Sequence, residues 1–336
     1  MGETSQTAIE YSERRDVMRR AWSVMVGVGL VLAGAGSIWD GTTVAQTPPA
    51  QQGVRPPLPE SVPVPKKHVL ILAFANGFHH ASVTNGAATI WQLGNQSGVY
   101  DSEIRTDTKW ITKGNPGGGE SRNLDYFDAI VAVNTTGNWG LTDEQKKDFL
   151  TFIRDDGKGF VGVHAALDAN RNGLWPEYTE MIGGEFAAHP WNHFPAPVIV
   201  EDPDFPAVKH FSAKRLVLFD EMYMPKMETF SRSKVNVLMR LDDTKLGPPL
   251  NANVVGGPEP PPSPTGRGRG RVELRSDRDF AITWAKTFGK GRVFYSSLGH
   301  TKESWTDPDV TKMYLEAIKW VLGLTEGSTA SHPKTQ

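Results

Sequence analysis

Downstream of residue 66 the chain alternates short, uninterrupted apolar runs with amphipathic stretches, and this alternation restricts the fold more than any other feature. His68 to Ala75, Phe127 to Val133 and Gly159 to Val163 are bounded by turn-forming residues and are apolar at odd and even positions alike. A strand that is apolar on both sides must be covered on both sides, which is the situation of a strand inside a parallel sheet. Between these runs, Ser82 to Gln96 reads as a helix and Ser102 to Asp107 as a further strand. Thr142 opens a second helix with a capping box, because its hydroxyl can accept from the backbone N–H of Gln145 while the Gln145 side chain reaches back. Phe149, Phe152 and Ile153 line one face of that helix, which is expected to stop at Gly157. A last helix starts at Asp307-Pro308, with Asp307 as cap, Pro308 in the first turn, and Val310, Met313, Leu315, Ile318 and Val321 on its buried side. The pattern predicts an α/β fold, a mostly parallel sheet with helices on both faces.

The second half is less regular. Val198 to Val200, Leu216 to Asp220 and Val235 to Leu241 read as strands, and Ala281 to Thr287 with Gly291 to Ser297 read as a hairpin around Phe288-Gly289-Lys290. Pro248 to Arg271 interrupts them with a proline cluster followed by Gly266-Arg-Gly-Arg-Gly-Arg271, a composition that predicts a surface insertion. The start of the chain reads as an address. Arg14, Arg15, Arg19 and Arg20 precede an apolar run from Ala21 to Ile38, and Thr43-Val44-Ala45 supplies small residues for cleavage, so residues 1–45 are expected to be an export signal, with Arg14-Arg15 resembling a twin-arginine signal. The protein is then expected to be periplasmic or extracellular, with no stable membrane insertion after cleavage. Residues 46–65 follow as a Pro- and Gln-rich linker, residues 66–324 as the domain, and residues 325–336 as a disordered tail.

Composition removes several function classes. The formal net charge of -2 argues against nucleic acid as a partner, which needs a basic face, and the Arg-Gly run is too short to change that. With 0 cysteines, disulfides, thiolate metal sites and a cysteine nucleophile are all excluded. Any metal must be held by His, Asp or Glu. In a parallel α/β sheet, ligands bind at the carboxyl ends of the strands. Of the 9 histidines, His79, His80, His164, His189, His193 and His300 fall at such ends or in loops, and Asp220-Glu221 closes a strand in the same way. These are the ingredients of a His and carboxylate metal site or of general acid and base chemistry, and spacing alone leaves both open. The turn at Gly159-Phe-Val-Gly-Val-His164-Ala-Ala resembles the strand-turn-helix elbow that presents a nucleophile in hydrolases and amidotransferases, with His164 as the projecting residue.

Gly77-Phe-His-His80, Gly159-Phe-Val-Gly-Val-His164, Gly183-Gly-Glu-Phe-x-x-His189-Pro, Asp220-Glu221-x-Tyr223 and Trp284 through Phe288-Gly-Lys-Gly-Arg-Val-Phe-Tyr295, ending Leu298-Gly-His300, stand in an order that resembles the ThuA-like family, named for trehalose utilisation. The resemblance runs from about Lys66 to Leu324. It implies a flavodoxin-like, class I glutamine amidotransferase-like domain, without amidotransferase activity because the nucleophilic cysteine is missing. It also implies a role in sugar catabolism, acting on 3-keto-glycosides or 3-keto-disaccharides by removal of the C2 proton, followed by elimination or hydrolysis, or by isomerisation. Under it, His164 and Glu221 are the catalytic acid and base candidates, and His80, His189, His300 and Trp284 are substrate contacts. A divalent metal, if held, falls to His80, His164, His189, Glu221 and His300. The partner is a small carbohydrate, and a homodimer suits the fold class.

Two other readings compete. Trp139, Trp175, Trp191, Trp284 and Trp305 could make a non-catalytic carbohydrate-binding module, since aromatic faces stack on sugar rings. A metal-dependent hydrolase of another polar substrate is the third.

Overall fold

The computed structural model describes residues 67–114, 122–211, 215–261 and 270–335. The chain divides into Met1–Leu58 and Pro59–Gln336. The expected export signal and linker lie outside the described residues, as do residues 262–269 of the expected insertion.

In chain order the elements are β1 (His68–Leu72), α1 (Val83–Ser97), β2 (Asp101–Arg105), β3 (Ala129–Val133), α2 (Asp143–Arg154), β4 (Gly159–Val163), α3 (Pro176–Ile182), β5 (Phe186–Ala188), β6 (His193–Val200), β7 (Arg215–Glu221), β8 (Met224–Pro225), β9 (Asn236–Leu241), β10 (Ala281–Phe288), β11 (Gly291–Ser296) and α4 (Pro308–Val321). A 9-stranded sheet runs in the order β2-β1-β3-β4-β11-β10-β9-β6-β7, beside a 2-stranded pairing of β5 with β8. From β2 to β11 every pairing is parallel. From β11 to β7 every pairing is antiparallel.

The apolar character of β1, β3 and β4 on both faces has the expected cause. Val69, Ile71, Val131, Val133, Val161 and Val163 pack into a core with α1 and α4, while Leu70, Leu72, Ile130 and Phe160 pack into a second core with α2 and α3. Each such side chain taken fully out of water contributes roughly 1.5–3 kcal/mol, so a strand sandwiched this way stabilises both layers. The capping box forms as expected, with Gln145 N–H donating to Thr142 Oγ1 at 3.2 Å and Thr142 N–H to Gln145 Oε1 at 3.2 Å. Asp307 caps α4 by accepting from the N–H groups of Asp309 and Val310.

Three expectations change. β6 begins at His193 rather than Val198, because Pro195 and Pro197 conceal its start. They are tolerated there because only Val198, Ile199 and Val200 pair with β9. The tail expected to be disordered instead lies along β9. Asn236 Nδ2 donates to Ser328 O at 2.8 Å, His332 Nε2 to Val237 O at 3.0 Å, and Arg240 Nη2 to Thr335 O at 2.8 Å. Polar groups on β9 supply the partners that the tail's own composition does not reveal. The expected surface insertion is exposed over most of its described part, but Val254 is buried and pairs with Val272, and the Arg271 guanidinium donates to the carbonyls of Val254 and Gly257.

The antiparallel half determines where the carboxyl end of β7 lies. β7 stands five places from β4 in the sheet, and a flat sheet with about 4.8 Å per strand would hold their ends more than 20 Å apart. Yet Glu221, at the end of β7, approaches His164 at the end of β4 to 3.5 Å. The sheet therefore curls, and the chain after β7 crosses over β11, where Tyr223 N–H donates to Ser297 Oγ at 2.6 Å.

Candidate functional site

Four side chains meet at the carboxyl ends of the parallel strands: His80 from the loop after β1, His164 after β4, His300 after β11, and Glu221 from the end of β7. One ligand atom from each lies within 4.8 Å of all the others. His300 Nδ1 is 3.0 Å from His164 Nε2 and 3.1 Å from Glu221 Oε2. The His80 ring centroid lies 5.0 Å from that of His164 and 4.8 Å from that of His300. Their places at strand ends put them in one crevice, although His164 and His300 are 136 residues apart.

Each member is held by its surroundings. His164 is fully buried, and although it is not glycine it sits at φ 42°, a conformation that costs about 1–3 kcal/mol and persists only where neighbours enforce it. The Tyr295 hydroxyl donates to the His164 carbonyl at 2.9 Å, and His164 Nδ1 meets the Ser297 carbonyl at 2.7 Å. A carbonyl can only accept, so Nδ1 carries a proton, and Nε2 is the ring atom turned toward Glu221 and His300. His300 is aimed by Asp220, a fully buried carboxylate that accepts from Glu221 N–H at 2.9 Å, Thr301 N–H at 3.0 Å, Gly299 N–H at 2.6 Å and Ser304 Oγ at 2.6 Å. Gly299 stands at φ 111°, where a side chain would be strained. Its carbonyl accepts from Ser82 Oγ, Asn134 Nδ2 and Trp305 Nε1.

The electrostatics suit cation ligands. Burial pushes His80 down to about 3, with further repulsion from His164 and His300, so its imidazole is neutral at pH 7. Burial also lowers His164, against the opposing pull of Glu221. Burial alone would raise Glu221, but hydrogen bonding with His164 and His300 and the nearby His189 hold it well below the usual carboxylate range. A neutral His80 imidazole and an ionised Glu221 are the states in which these two groups can bind a divalent cation. His80 Nδ1 is buried without a hydrogen-bond partner, a group that asks for one. Imidazole ligands at roughly 2.0–2.1 Å from a tetrahedral ion stand about 3.3 Å from one another, and the contacts between His164, His300 and Glu221 fall at 3.0–3.5 Å. The residues fit a divalent metal bound by His80, His164, His300 and Glu221.

The remaining expected residues take other places. His189 stands outside that set. Its Nδ1 lies 3.2 Å from Glu221 Oε1 and 3.1 Å from both Asn192 Oδ1 and Asn251 Nδ2, so it supports the carboxylate from behind. Trp284, expected as a substrate contact, is corrected: it is fully buried, packs on Tyr295, and donates from Nε1 to Ile182 O at 2.8 Å. Trp139, Trp175, Trp191 and Trp305 are also buried, so all five act as core residues rather than sugar platforms. The sequence reading did not assign roles to His193, Asp220 or Asn251. His193 is exposed, with its ring 4.5 Å from that of His300. Its place beside Glu221 follows from the pairing of β6 with β7, which the prolines conceal. Nothing in the sequence marks Asn251, which reaches the site from the insertion.

The model of the family described as trehalose utilisation, ThuA, matches residues 68–321. Among solved structures, a ThuA-like protein of Bacteroides uniformis is 20% identical with TM-score 0.55, over 78% of this chain and 94% of that one. A ThuA-like protein of Parabacteroides merdae is 15% identical with TM-score 0.51, over 80% of this chain and 92% of that one. At such identities these likenesses speak to the fold. No curated protein matches the chain. The family match spans every strand of the large sheet and each of the four clustered residues, and on that extent the chain belongs to the ThuA family.

Proposed function

We propose that this protein is an enzyme of sugar catabolism that acts on 3-keto-glycosides at a divalent metal centre held by His80, His164, Glu221 and His300. The observation that carries the reading is the meeting of three histidines and one carboxylate, all largely buried, at the ligand-binding end of the parallel sheet. Family membership supports the carbohydrate side of it.

The chemistry follows from the substrate and the residues. A 3-keto group acidifies the C2 proton. Removal of that proton places the electron pair between C2 and C3, and its return expels the aglycone from C1, breaking the C1–O bond. The leaving oxygen takes up a proton. A bound divalent cation would supply Lewis-acid polarisation of the ketone and balance the developing oxyanion. His164 and Glu221, read from sequence as acid and base, are better suited to binding, because one is locked to Ser297 O and the other is held ionised. Proton transfer then falls to the histidines at the mouth. His193 is exposed beside His300, and His189 is held through Nδ1 on Glu221, which leaves Nε2 to exchange a proton. Residues 1–45 fit the same reading as an export signal that delivers the enzyme to extracytoplasmic sugars.

The test is incubation of purified protein with a panel of 3-keto-glycosides, following aglycone release and isomerisation, with metal analysis and with and without chelator. Turnover that disappears with chelator and returns with added cation is expected. Full turnover by metal-free protein would refute the metal centre, and inactivity of cation-loaded protein on every oxidised glycoside would refute the substrate class.

A further inference from the structure

Among the large hydrophobic side chains of the described residues, Phe78 has the highest fractional exposure, 67%. It lies beside the cluster, its ring meeting that of His80 edge-on with centroids 4.8 Å apart. Solvent contact on an apolar ring is unfavourable, yet this ring is not on a loose tip. Asn76 N–H donates to Thr136 O at 3.1 Å, Gly77 N–H to Thr136 Oγ1 at 3.2 Å, Thr136 Oγ1 to Phe78 O at 2.9 Å, and Asn76 Nδ2 to Asn138 O at 2.9 Å. The two loops lie back to back so closely that a Cβ on Gly137, at φ +71°, would stand 2.6 Å from the Asn76 carbonyl carbon. The backbone that carries Phe78 is thus fixed before any ligand arrives, which lowers the entropic cost of using its ring for binding.

We propose that Phe78 is the stacking platform of the substrate subsite and receives the apolar face of a pyranose whose reacting carbons lie over the histidine cluster, an inference that rests on the carbohydrate reading above. An aromatic face beside polar groups is the usual way to bind a sugar ring through its C–H groups while its hydroxyls are hydrogen-bonded elsewhere. The chemistry narrows the class. A pyranose with equatorial hydroxyls presents axial C–H groups to a flat ring, whereas an axial hydroxyl on that face holds the ring away. Pyranoses with one face free of axial hydroxyls, gluco-configured rings among them, therefore suit the platform, and epimers with an axial hydroxyl on the stacked face bind less well. The buried tryptophans are unavailable for this role. Trp91 and Phe219 are also exposed, but neither makes a ring contact with the cluster comparable to that of Phe78 with His80.

The test uses the full chain loaded with cation, and measures binding of methyl glucopyranoside and of its 3-keto derivative by calorimetry and turnover of the latter. Phe78→Ala is expected to weaken binding of both sugars about tenfold and to raise KM more than it lowers kcat, with cation content unchanged. Phe78→Trp is expected to retain binding, and Trp91→Ala serves as an exposed control. Because Phe78 is largely exposed, its replacement should leave the urea midpoint unchanged, and the Phe78→Trp comparison tests the platform independently. Sugar binding by Phe78→Ala within twofold of the unaltered protein would overturn the platform while leaving catalysis standing. Phe78-dependent binding without turnover of any keto-sugar would support the platform and remove the catalytic reading. Absence of binding to either sugar by the unaltered protein would overturn both.

Discussion

Replacing Asp220 by Asn tests whether one buried carboxylate aims the site. Its oxygens accept four hydrogen bonds, two on Oδ1 from Glu221 and Thr301 and two on Oδ2 from Gly299 and Ser304. An asparagine can keep its oxygen toward the first pair, but its NH2 then faces the Gly299 N–H, a buried donor left without an acceptor. A stranded donor costs about 1–3 kcal/mol, and the charge-assisted bonds lost were worth more than neutral ones, so the substitution should destabilise by about 3 kcal/mol. Ser304→Ala removes one donor and leaves the carboxylate its other three partners, at about 1 kcal/mol. The double variant should depart from the sum, because in Asp220→Asn the Ser304 hydroxyl can turn to accept from the new amide, so the two sites are coupled. Urea unfolding gives the energies, and cation titration of the folded protein gives the consequence for His300, which sits between two of the clamped residues. We expect cation affinity to fall with stability. A change under 0.5 kcal/mol in Asp220→Asn with unaltered cation affinity would refute the clamp.

Three further outcomes follow. Glu221→Gln should lower cation affinity at least tenfold and abolish turnover, because a neutral amide replaces the single anionic donor; inductively coupled plasma analysis after dialysis checks it. Trp284→Ala should destabilise by about 3–5 kcal/mol through cavity formation. Any protein that still folds should keep its sugar affinity, and a specific loss of affinity would restore Trp284 to the site. Burial raises the Asp168 carboxyl to about 6 and Glu185 adds repulsion, against the pull of Arg171. The folded state thus binds a proton more tightly than the unfolded chain, so this contribution is complete below about pH 4 and is lost as the pH rises through 6, at most about 3 kcal/mol. Asp168→Asn should remove that share of the pH dependence, and superimposable stability profiles from pH 4 to 8 would show that the group does not titrate this way.

The parallel half of the fold was legible because its signals are local. A strand such as Val69 to Leu72 must be covered on both sides, and Thr142 with Gln145 announces a helix start within one turn. The histidines at strand ends could be assigned to one crevice because parallel topology brings those ends together. Glu221 was legible as a carboxylate at a strand end, but its meeting with the histidines depends on the curl of an antiparallel extension whose strand pairing no local pattern encodes. Asn251 belongs to a segment whose composition reads as surface, and its contact with His189 is tertiary. The tryptophans misled because indole suits both a core and a sugar platform, and only burial separates the two. The tail misled for the opposite reason: its partners are Asn236, Val237 and Arg240, far away in sequence.

The topology of the sheet also bears on the order in which the molecule assembles. His164 and His300 come together only once β11 has paired with β4, where the partners Val293 and Phe160 are 133 residues apart, whereas Glu221 is carried by the pairing of β6 with β7, where the partners Ile199 and Arg215 are 16 apart. Pairings between distant segments form slowly because a long loop must be closed before they contribute. The strand pair that carries Glu221 is therefore of the kind that forms early, and completion of the histidine trio waits on the closure between β4 and β11.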